Sequence, residues 1–349
     1  MTTRPLLWMR HEVRPGEGRA AIVPETARTL IEAGFEIVVE ESNQRSFDLA
    51  EYVAAGCRTA ATGTWREAPK DAIVVGLKEL PNDDGPLGDH IYFGHAYKGQ
   101  HGARDLLSRF VAGGGTLLDL EYLLDEDGRR LAAFGYWAGY VGAALAVLEY
   151  RGELPSSPPP TSKPELDARL SAGRGDQPRA LVIGALGRSG RGACEALRVA
   201  GIETTAWDVE ETKDLDHAAL RSHDIIVNCV MVAHPVPPFL TEADLDAPDR
   251  RISVISDVTC DVTSECNVLP VYDDITRWEQ PTRELRPANA DQPAVRIIAI
   301  DNLPTLVPRE AAESYAADLL PVLLQLPDGA PWQRARERFA QALREEHLA

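Results

Sequence analysis

Short apolar runs alternate with helical patterns along the first third of the chain. The apolar runs predict strands at 6–10, 36–42, 72–80, 90–97 and 116–123. Between the first two runs lies a helical pattern in which Pro24 and Glu25 suit the first turn and Gly34 suits the end. Strand, helix and strand at this spacing predict βαβ units and a parallel sheet.

A second alternating series begins after residue 179, with strands predicted in ALVIGAL, ETTAWDV, DIIVNCVM, ISVISDVT and VRIIAID. The last fifty residues are again helical in pattern. Because both halves have βαβ character, the sequence predicts an α/β protein with two Rossmann-like, doubly wound parallel-sheet domains. We expect a cleft between them.

Two segments separate the series. Residues 131–148 carry no charge and just reach transmembrane length, but three glycines within them favour a helix packed tightly inside the protein. Residues 151–179 are rich in proline, serine and glycine, which predicts a surface excursion with room for one short helix.

Composition narrows the functional classes. The chain has 349 residues, too many for one ordinary core, and its net charge of -18 argues against nucleic-acid and anionic membrane partners. Its five cysteines lie at no zinc-ligand spacing, which predicts reduced thiols, no metal site and a cytoplasmic location. The apolar run at the N-terminus is too short for a secretory signal.

The strongest local motif follows residue 179. Gly184, Gly187 and Gly190 form a G-x-x-G-x-x-G turn between a strand and a helix, where backbone N–H groups can face a pyrophosphate. The next strand ends at Asp208, near the distance expected for the carboxylate that binds the adenosine ribose. This carboxylate favours NAD over NADP, and Arg188 suits a phosphate contact. A Rossmann-like domain that binds no nucleotide is the alternative.

Basic side chains converge on one edge of the first predicted sheet. Lys78 and His95 end neighbouring strands, and Arg14 and Arg19 lie in the turn after the first strand. The chain has five lysines among 36 Lys and Arg residues, and a desolvated lysine, unlike arginine, can lose its proton. Lysine and histidine together suit general acid–base catalysis. The alternatives are a solvent-exposed lysine at a strand end and a hydrogen-bonded core histidine.

Six motifs occur in order across nearly the whole chain: MRHEVRPGEGRAAIVPET, VVGLKELP, IYFGHAYKGQ, DGRRLAAFGYWAGYVGAAL, IGALGRSGRGA and IDNLPTLVPREAA. On these motifs the chain resembles the NAD-dependent, lysine-forming saccharopine dehydrogenases, relatives of alanine dehydrogenase and transhydrogenase. The resemblance implies reversible oxidation of saccharopine by NAD to L-lysine and 2-oxoglutarate. It also implies that residues 1–133 with 312–349 form the substrate and catalytic domain, and that residues 134–311 form the NAD-binding domain.

The resemblance further implies roles for single residues. Lys78 would deprotonate the secondary amine as hydride leaves, and His95 would transfer protons during imine hydrolysis. Arg19 and Arg130, together with the adjacent Arg129, would hold substrate carboxylates. Glu79 and Glu121 would lie at the substrate site and tune the pKa values of Lys78 and His95, and Lys98 is also expected to line this site. The residues expected to line the cofactor site are Gly184, Gly187, Arg188, Ser189, Gly190, Asp208, Asp257 and Asp301.

The chain departs from the family pattern in places. Ser189 stands where the fungal enzymes have cysteine, IDNLP replaces a histidine-containing motif, and residues 151–179 match poorly. An alanine dehydrogenase-like or opine-type enzyme for another amine and oxo acid pair therefore stays open, as does a catalytically silent NAD-binding regulatory protein. The expected partners are small-molecule substrates, and the expected state is a monomer or a small homo-oligomer.

Overall fold

The computed structural model describes residues 4–81, 83–173 and 177–348. The chain divides into two compact units. The first unit comprises Met1–Ala133 and Pro308–Ala349, and the second comprises Phe134–Val307. The second unit therefore ends at Val307, where the sequence placed the boundary at 311, because the helix that begins at Pro308 belongs to the first unit. Which unit serves the substrate and which the cofactor stays a prediction.

The first unit contains a six-stranded sheet and five α-helices in its described residues. Its strands are β1 (Leu6–Met9), β2 (Glu36–Glu40), β3 (Arg58–Ala60), β4 (Ile73–Val75), β5 (His90–Tyr92) and β6 (Leu117–Asp119). Its helices are α1 (Pro24–Glu32), α2 (Leu49–Ala54), α3 (Ala103–Gly113), α10 (Pro308–Leu323) and α11 (Ala330–Glu345).

The strand order of this sheet is β3-β2-β1-β4-β5-β6, and every neighbouring pair is parallel. The order changes direction between β1 and β4. In open α/β sheets the carboxyl ends of the strands at such a point form the usual ligand site. The loops that leave β1, β4 and β5 are therefore the part of this unit in which to look for chemistry.

The second unit contains six strands and six α-helices in its described residues. Its strands are β7 (Ala180–Ile183), β8 (Thr204–Trp207), β9 (Ile225–Asn228), β10 (Val254–Asp257), β11 (Arg283–Arg286) and β12 (Val295–Ile298). Its helices are α4 (Gly135–Tyr150), α5 (Lys163–Ala172), α6 (Arg188–Val199), α7 (Val209–Lys213), α8 (His217–Arg221) and α9 (Glu242–Asp246). The strand order is β11-β12-β10-β9-β7-β8, parallel except for the edge pair β11–β12. Two doubly wound α/β sheets confirm the predicted fold class.

The charge-free segment forms α4, which is buried along most of its length. A Cβ atom on Gly139 would lie 1.8 Å from the carbonyl oxygen of Ser189, and one on Gly192 would lie 1.9 Å from that of Tyr136. Only glycine allows the backbones of α4 and α6 to approach this closely. The glycines thus serve internal packing, as predicted. Within the described part of the chain, no helix has both the length and the apolar character needed to cross a bilayer.

The proline-rich stretch is more ordered in packing than its composition indicated. It contains α5, whose Ser162 cap accepts the N–H of Glu165 and whose Leu166 and Leu170 are fully buried. The predicted short helix is therefore confirmed, but it is part of the core of the second unit. Residues 174–176 of this stretch lie outside the described residues.

Candidate active site

The loops that follow β4 and β5 leave the first sheet side by side. The N–H of Gly76 donates to the carbonyl oxygen of Ile91 at 2.9 Å, and the N–H of Phe93 donates to that of Leu77 at 3.1 Å. Strand-like pairing therefore continues past both strand ends. This pairing keeps the two loops in register where their functional side chains begin.

Lys78 and His95 occupy corresponding places in these loops. Lys78 follows β4 and is half-buried, whereas His95 follows β5 and its side chain is 56% exposed. His95 has a φ of 49°, a left-handed conformation that is unusual for a non-glycine residue. Its ring stacks on that of Phe93, with a centroid distance of 6.4 Å and an interplanar angle of 20°. The sequence is thus right that neighbouring strands present these two side chains at one edge.

Glu121 joins three of the predicted basic residues. Its carboxylate lies 3.7 Å from Nδ1 of His95, 3.0 Å from Nζ of Lys98 and 2.6 Å from Nη2 of Arg130. These neighbours lower the pKa of Glu121 to about 2, His95 contributing most, against the opposing effect of burial. The structure therefore brings together four of the predicted residues, in a group where one ionised carboxylate contacts three basic side chains.

Asp119, which the sequence did not single out, binds the main chain beside two members of this group. It is the last residue of β6, is 1% exposed, and accepts hydrogen bonds from the N–H groups of Gly94 (3.2 Å) and Glu121 (2.9 Å). Burial raises the pKa of Asp119 to about 6. One buried carboxyl group thus fixes the main chain beside His95 and at Glu121. Asp119 could have been identified from the sequence as a charged residue at the end of an apolar strand.

Arg19 lies in a buried ion pair. Its Nε and Nη2 donate to the two carboxylate oxygens of Glu17 at 2.7 and 2.6 Å, and both residues are at most 2% exposed. Burial opposes ionisation of Glu17, but Arg19 and then Lys78 outweigh it and lower its pKa. One edge of the Arg19 guanidinium is therefore occupied by Glu17, and a contact with a substrate carboxylate stays a prediction.

Glu79 and Arg129 form ion pairs with residues outside the Glu121 group. Both carboxylate oxygens of Glu79 accept from Nε of Arg14, at 2.9 and 3.1 Å. Burial raises the pKa of Glu79, but Arg14 and Lys78 outweigh this and lower it overall. The Arg129 side chain is 79% exposed and reaches Asp127 at 3.5 Å, not Glu121. Of the two adjacent arginines, Arg130 is the one that belongs to the Glu121 group.

The glycine turn of the second unit forms a close strand-to-helix connection. Gly184 has a φ of 82°, and a Cβ atom on Gly190 would lie 2.1 Å from the Gly184 carbonyl oxygen. Gly187 caps α6, so Arg188 and Ser189 are the first residues of that helix. The first turn of a helix directs backbone N–H groups outward and carries partial positive charge, which suits an anion.

Asp208 directly follows β8, next to this turn. Its two carboxylate oxygens accept the N–H groups of Leu186 and Val209, both at 2.9 Å, which fixes the carboxylate beside the glycine turn. Leu186, Val209 and Met231 are 75%, 62% and 71% exposed, which is unusual for large apolar side chains. Each follows the carboxyl end of a neighbouring strand of the second sheet. The sequence did not single out these three, although Leu186 and Val209 adjoin predicted site residues.

Asp257 and Asp301 differ in their surroundings. The carboxylate of Asp257 is buried and accepts from Asn228 at 3.0 Å, from the hydroxyl of Thr259 at 2.7 Å and from that of Tyr272 at 2.7 Å. A direct contact with a cofactor would have to compete with these partners. Asp301 is exposed in the turn after β12. A cofactor role for either residue stays a prediction.

No group of three or more His, Cys, Asp or Glu side chains among residues 4–81, 83–173 and 177–348 is arranged to hold a metal ion. The five cysteines are unbridged thiols. Burial raises the pKa of Cys57 to about 11, and it also raises that of Cys229, which follows β9.

Known proteins share the fold of this chain. Residues 8–141 match the family model described as "Alanine dehydrogenase/PNT, N-terminal domain". A solved L-alanine dehydrogenase superposes with a TM-score of 0.66 at 17% identity, covering 97% of this chain and 94% of that one. The chain therefore shares the fold of this L-alanine dehydrogenase, and the similarity concerns the fold alone.

Sequence similarity then gives the family. The chain is 42% identical to "Saccharopine dehydrogenase [NAD(+), L-lysine-forming]" of Schizosaccharomyces pombe, over 96% of this chain and 97% of the relative. It is also 42% identical to the protein of the same name from Candida albicans, over 96% of both chains. The chain belongs to the family of NAD(+)-dependent, L-lysine-forming saccharopine dehydrogenases, which confirms the resemblance found in its motifs.

Proposed function

We propose that the protein catalyses the reversible, NAD-dependent oxidation of saccharopine to L-lysine and 2-oxoglutarate. The observation that carries the proposal is the 42% identity to L-lysine-forming saccharopine dehydrogenases along 96% of the chain. The paired loops that present Lys78 and His95 support it. We further propose small-molecule partners only, a monomeric or small homo-oligomeric state and a cytoplasmic location.

The second unit fits the dinucleotide. The first turn of α6, from Gly187 to Ser189, suits the pyrophosphate, and the fixed carboxylate of Asp208 suits the adenosine ribose. Leu186, Val209 and Met231 would cover the adenine ring, which explains their exposure.

Negative charge near the ribose position supports NAD over NADP. Glu211 accepts the N–H of Asp208 at 2.8 Å, and Glu210 follows Val209 in the same helix. A 2'-phosphate would meet the carboxylates of Asp208 and Glu211, whereas the carboxylate of Glu210 is paired with Lys213 at 2.7 Å. The repulsion between like charges in this short segment opposes the phosphorylated cofactor.

The first unit supplies the acid–base groups. NAD, when bound, accepts the hydride from the substrate carbon. Lys78 takes the proton of the secondary amine in this step, and His95 then moves protons to and from the water that hydrolyses the resulting imine. Glu121 stays ionised beside His95 and balances the positive charge of Lys98 and Arg130. Arg130 and Arg19 are the proposed partners of the substrate carboxylates, a task suited to guanidinium groups.

The test is loss of NADH absorbance with L-lysine and 2-oxoglutarate, measured beside ammonia and pyruvate. We expect oxidation only when L-lysine and 2-oxoglutarate are both present. Turnover with ammonia and pyruvate alone would instead favour an alanine dehydrogenase-like activity. NADH binding without turnover in either mixture would refute the proposed substrate pair.

A further inference from the structure

A buried ion pair lies at the carboxyl end of β1, beside the loop that carries Lys78. Arg10 is 1% exposed and Glu12 is 9% exposed, and Nη1 of Arg10 lies 3.3 Å from Oε2 of Glu12. No role described so far uses either residue. Removing two charges from water is costly unless further hydrogen bonds satisfy both partners. The groups that these side chains contact therefore indicate what the pair does.

Both side chains bind the main chain around Lys78. Oε1 of Glu12 accepts the N–H of Leu77 at 2.7 Å, and Oε2 accepts the N–H of Lys78 at 2.9 Å. On the other side of the same residue, Nη2 of Arg10 donates to the carbonyl oxygen of Lys78 and, at 3.4 Å, to that of Glu79. The N–H and the C=O of Lys78 are thus both held by charged side chains.

The guanidinium group is confined by its surroundings. A Cβ atom on Gly76 would lie 2.5 Å from Nε and 2.6 Å from Cζ of Arg10, so only glycine leaves room for it there. The guanidinium carbon lies 5.8 Å from the centre of the Tyr92 ring. The N–H of Arg10 also donates to the carbonyl oxygen of Val75 at 2.9 Å. These contacts define one position for the guanidinium group relative to β4.

We infer that Arg10 and Glu12 are positioning residues that fix the main chain of Lys78, and through it the reach of the Lys78 ammonium group; the inference rests on the proposed role of Lys78. Four rotatable bonds separate Cα from Nζ, so Nζ can be placed reproducibly only if Cα and the Cα–Cβ direction are fixed. A misplacement of about 1 Å can cost ~10²-fold in rate. The pair has no net charge, so it restrains Lys78 without adding a net charge beside it.

The test compares three conservative variants with a matched control. Glu12→Gln keeps the shape but directs an amide N–H at a backbone N–H, Arg10→Lys keeps the charge but loses the planar fork, and Gly76→Ala displaces the guanidinium with both charges intact. The control is Glu40→Gln. Glu40 is also fully buried at a strand end of the first sheet, and it accepts the N–H groups of His11 and Gly63, at 3.0 Å each, instead of those around Lys78.

We expect each of the three variants to lower kcat by roughly 10- to 100-fold and to change KM and the NADH dissociation constant by less than about threefold. Glu40→Gln should leave kcat within about twofold of the wild type, even where its thermal midpoint falls as far as that of Glu12→Gln. If Glu12→Gln unfolds below the assay temperature, Gly76→Ala carries the comparison, because it removes no charge.

A double-variant cycle separates this inference from the proposed function. If Glu12 acts through Lys78, Glu12→Gln should lower kcat no further in a Lys78→Met background. Independent losses that multiply in the double variant would overturn the inference and leave the role of Lys78 intact. Equal kcat values for Glu12→Gln and Glu40→Gln would overturn it too. A Lys78→Met variant with wild-type turnover would instead refute the proposed role of Lys78, and a wild-type protein with no turnover of L-lysine and 2-oxoglutarate would refute the proposed function.

Discussion

The contact between α4 and α6 links packing to the proposed cofactor turn, and the addition of a single methyl group tests this link. In Gly139→Ala the new Cβ would lie 1.8 Å from the carbonyl oxygen of Ser189, whereas contacts under 3.0 Å are essentially never found. The backbone at Ser189, in the first turn of α6, must therefore move by about 1.2 Å, the difference between these two distances. The neighbouring atom is backbone, so rotation of a side chain cannot relieve the overlap.

The expected change in the free energy of unfolding of Gly139→Ala is the difference between two opposing effects. Overpacking of this kind costs ~1–3 kcal/mol or more, and replacing glycine by alanine inside a helix returns up to ~1 kcal/mol. With the overlap against backbone we expect a net loss of about 2 kcal/mol, which lowers the thermal midpoint by roughly 4–8 °C for a unit of this size. Displacement of the first turn of α6 should also weaken NADH binding by ~10-fold or more.

Gly135→Ala is the matched control. Its Cβ would lie 3.1 Å from the hydroxyl oxygen of Ser189, a group that can rotate away. NADH fluorescence titration and thermal unfolding should therefore show near wild-type behaviour for this variant and losses in both measurements for Gly139→Ala. Equal dissociation constants and equal midpoints for the two variants would refute the assignment of α4 as the support of the cofactor turn.

Three further predictions concern single charged groups. Lys78→Met should lower turnover by ~10²–10⁴-fold with NADH binding nearly unchanged, as measured by steady-state kinetics and titration; unaltered turnover would exclude it as the base. Asp208→Ala should weaken NADH binding by ~10-fold and reduce discrimination against NADPH, so an unchanged ratio of the two dissociation constants would move the ribose contact elsewhere. The lowered pKa of Glu121 stabilises the fold above its unfolded pKa of 4.5, and this stability is lost as the pH falls toward about 2. Its partners Lys98 and Arg130 are 60% and 43% exposed, so Glu121→Gln should lower the free energy of unfolding by only ~2 kcal/mol at pH 7 and by less at pH 3.5, as measured by urea unfolding. A loss that is as large at pH 3.5 as at pH 7 would contradict this. An equal loss in Glu337→Gln, a substitution of an exposed glutamate, would contradict it as well.

The sequence predicted the parallel core well because buried parallel strands are apolar on both faces. β4, β7 and β9 are fully buried, and they are apolar throughout except for Asn228 at the end of β9. The edge strands β3 and β11 were missed, since both are short and polar and neither contains a fully buried residue. Pattern alone cannot distinguish such edges from loops, because their backbone pairing is not recorded in hydrophobicity.

Strand ends near the site were also misjudged. The apolar runs at 72–80 and 90–97 extend well past the last residues of β4 and β5, Val75 and Tyr92. His95, three residues beyond β5, has a left-handed conformation that a regular strand does not contain. The apolar residues beyond the strands are buried by packing, as in Leu77 and Ala96, and not by extended structure.

Residue types at the site could be predicted, but their pairings could not. Lys78, His95 and Asp208 are recognisable as unusual residues at strand ends. That Glu12 holds the main chain of the Lys78 loop depends on segments that meet only after β1 and β4 have paired. Such contacts between distant segments depend on the fold as a whole, so local pattern carries no signal for them.

The first unit is assembled from both ends of the chain, and this has a consequence for biosynthesis. Trp332 and Phe339 of α11 are buried in the first unit, where the Phe339 ring lies 5.9 Å from that of Phe110. A ribosome makes residues 134–307 before it reaches these helices, which takes on the order of ten seconds at ~5–20 residues per second. During that interval the continuous second unit can fold, whereas the nascent first unit waits with apolar surface uncovered. Premature termination a few dozen codons early would therefore yield a chain with an intact glycine turn and an aggregation-prone, incomplete first unit.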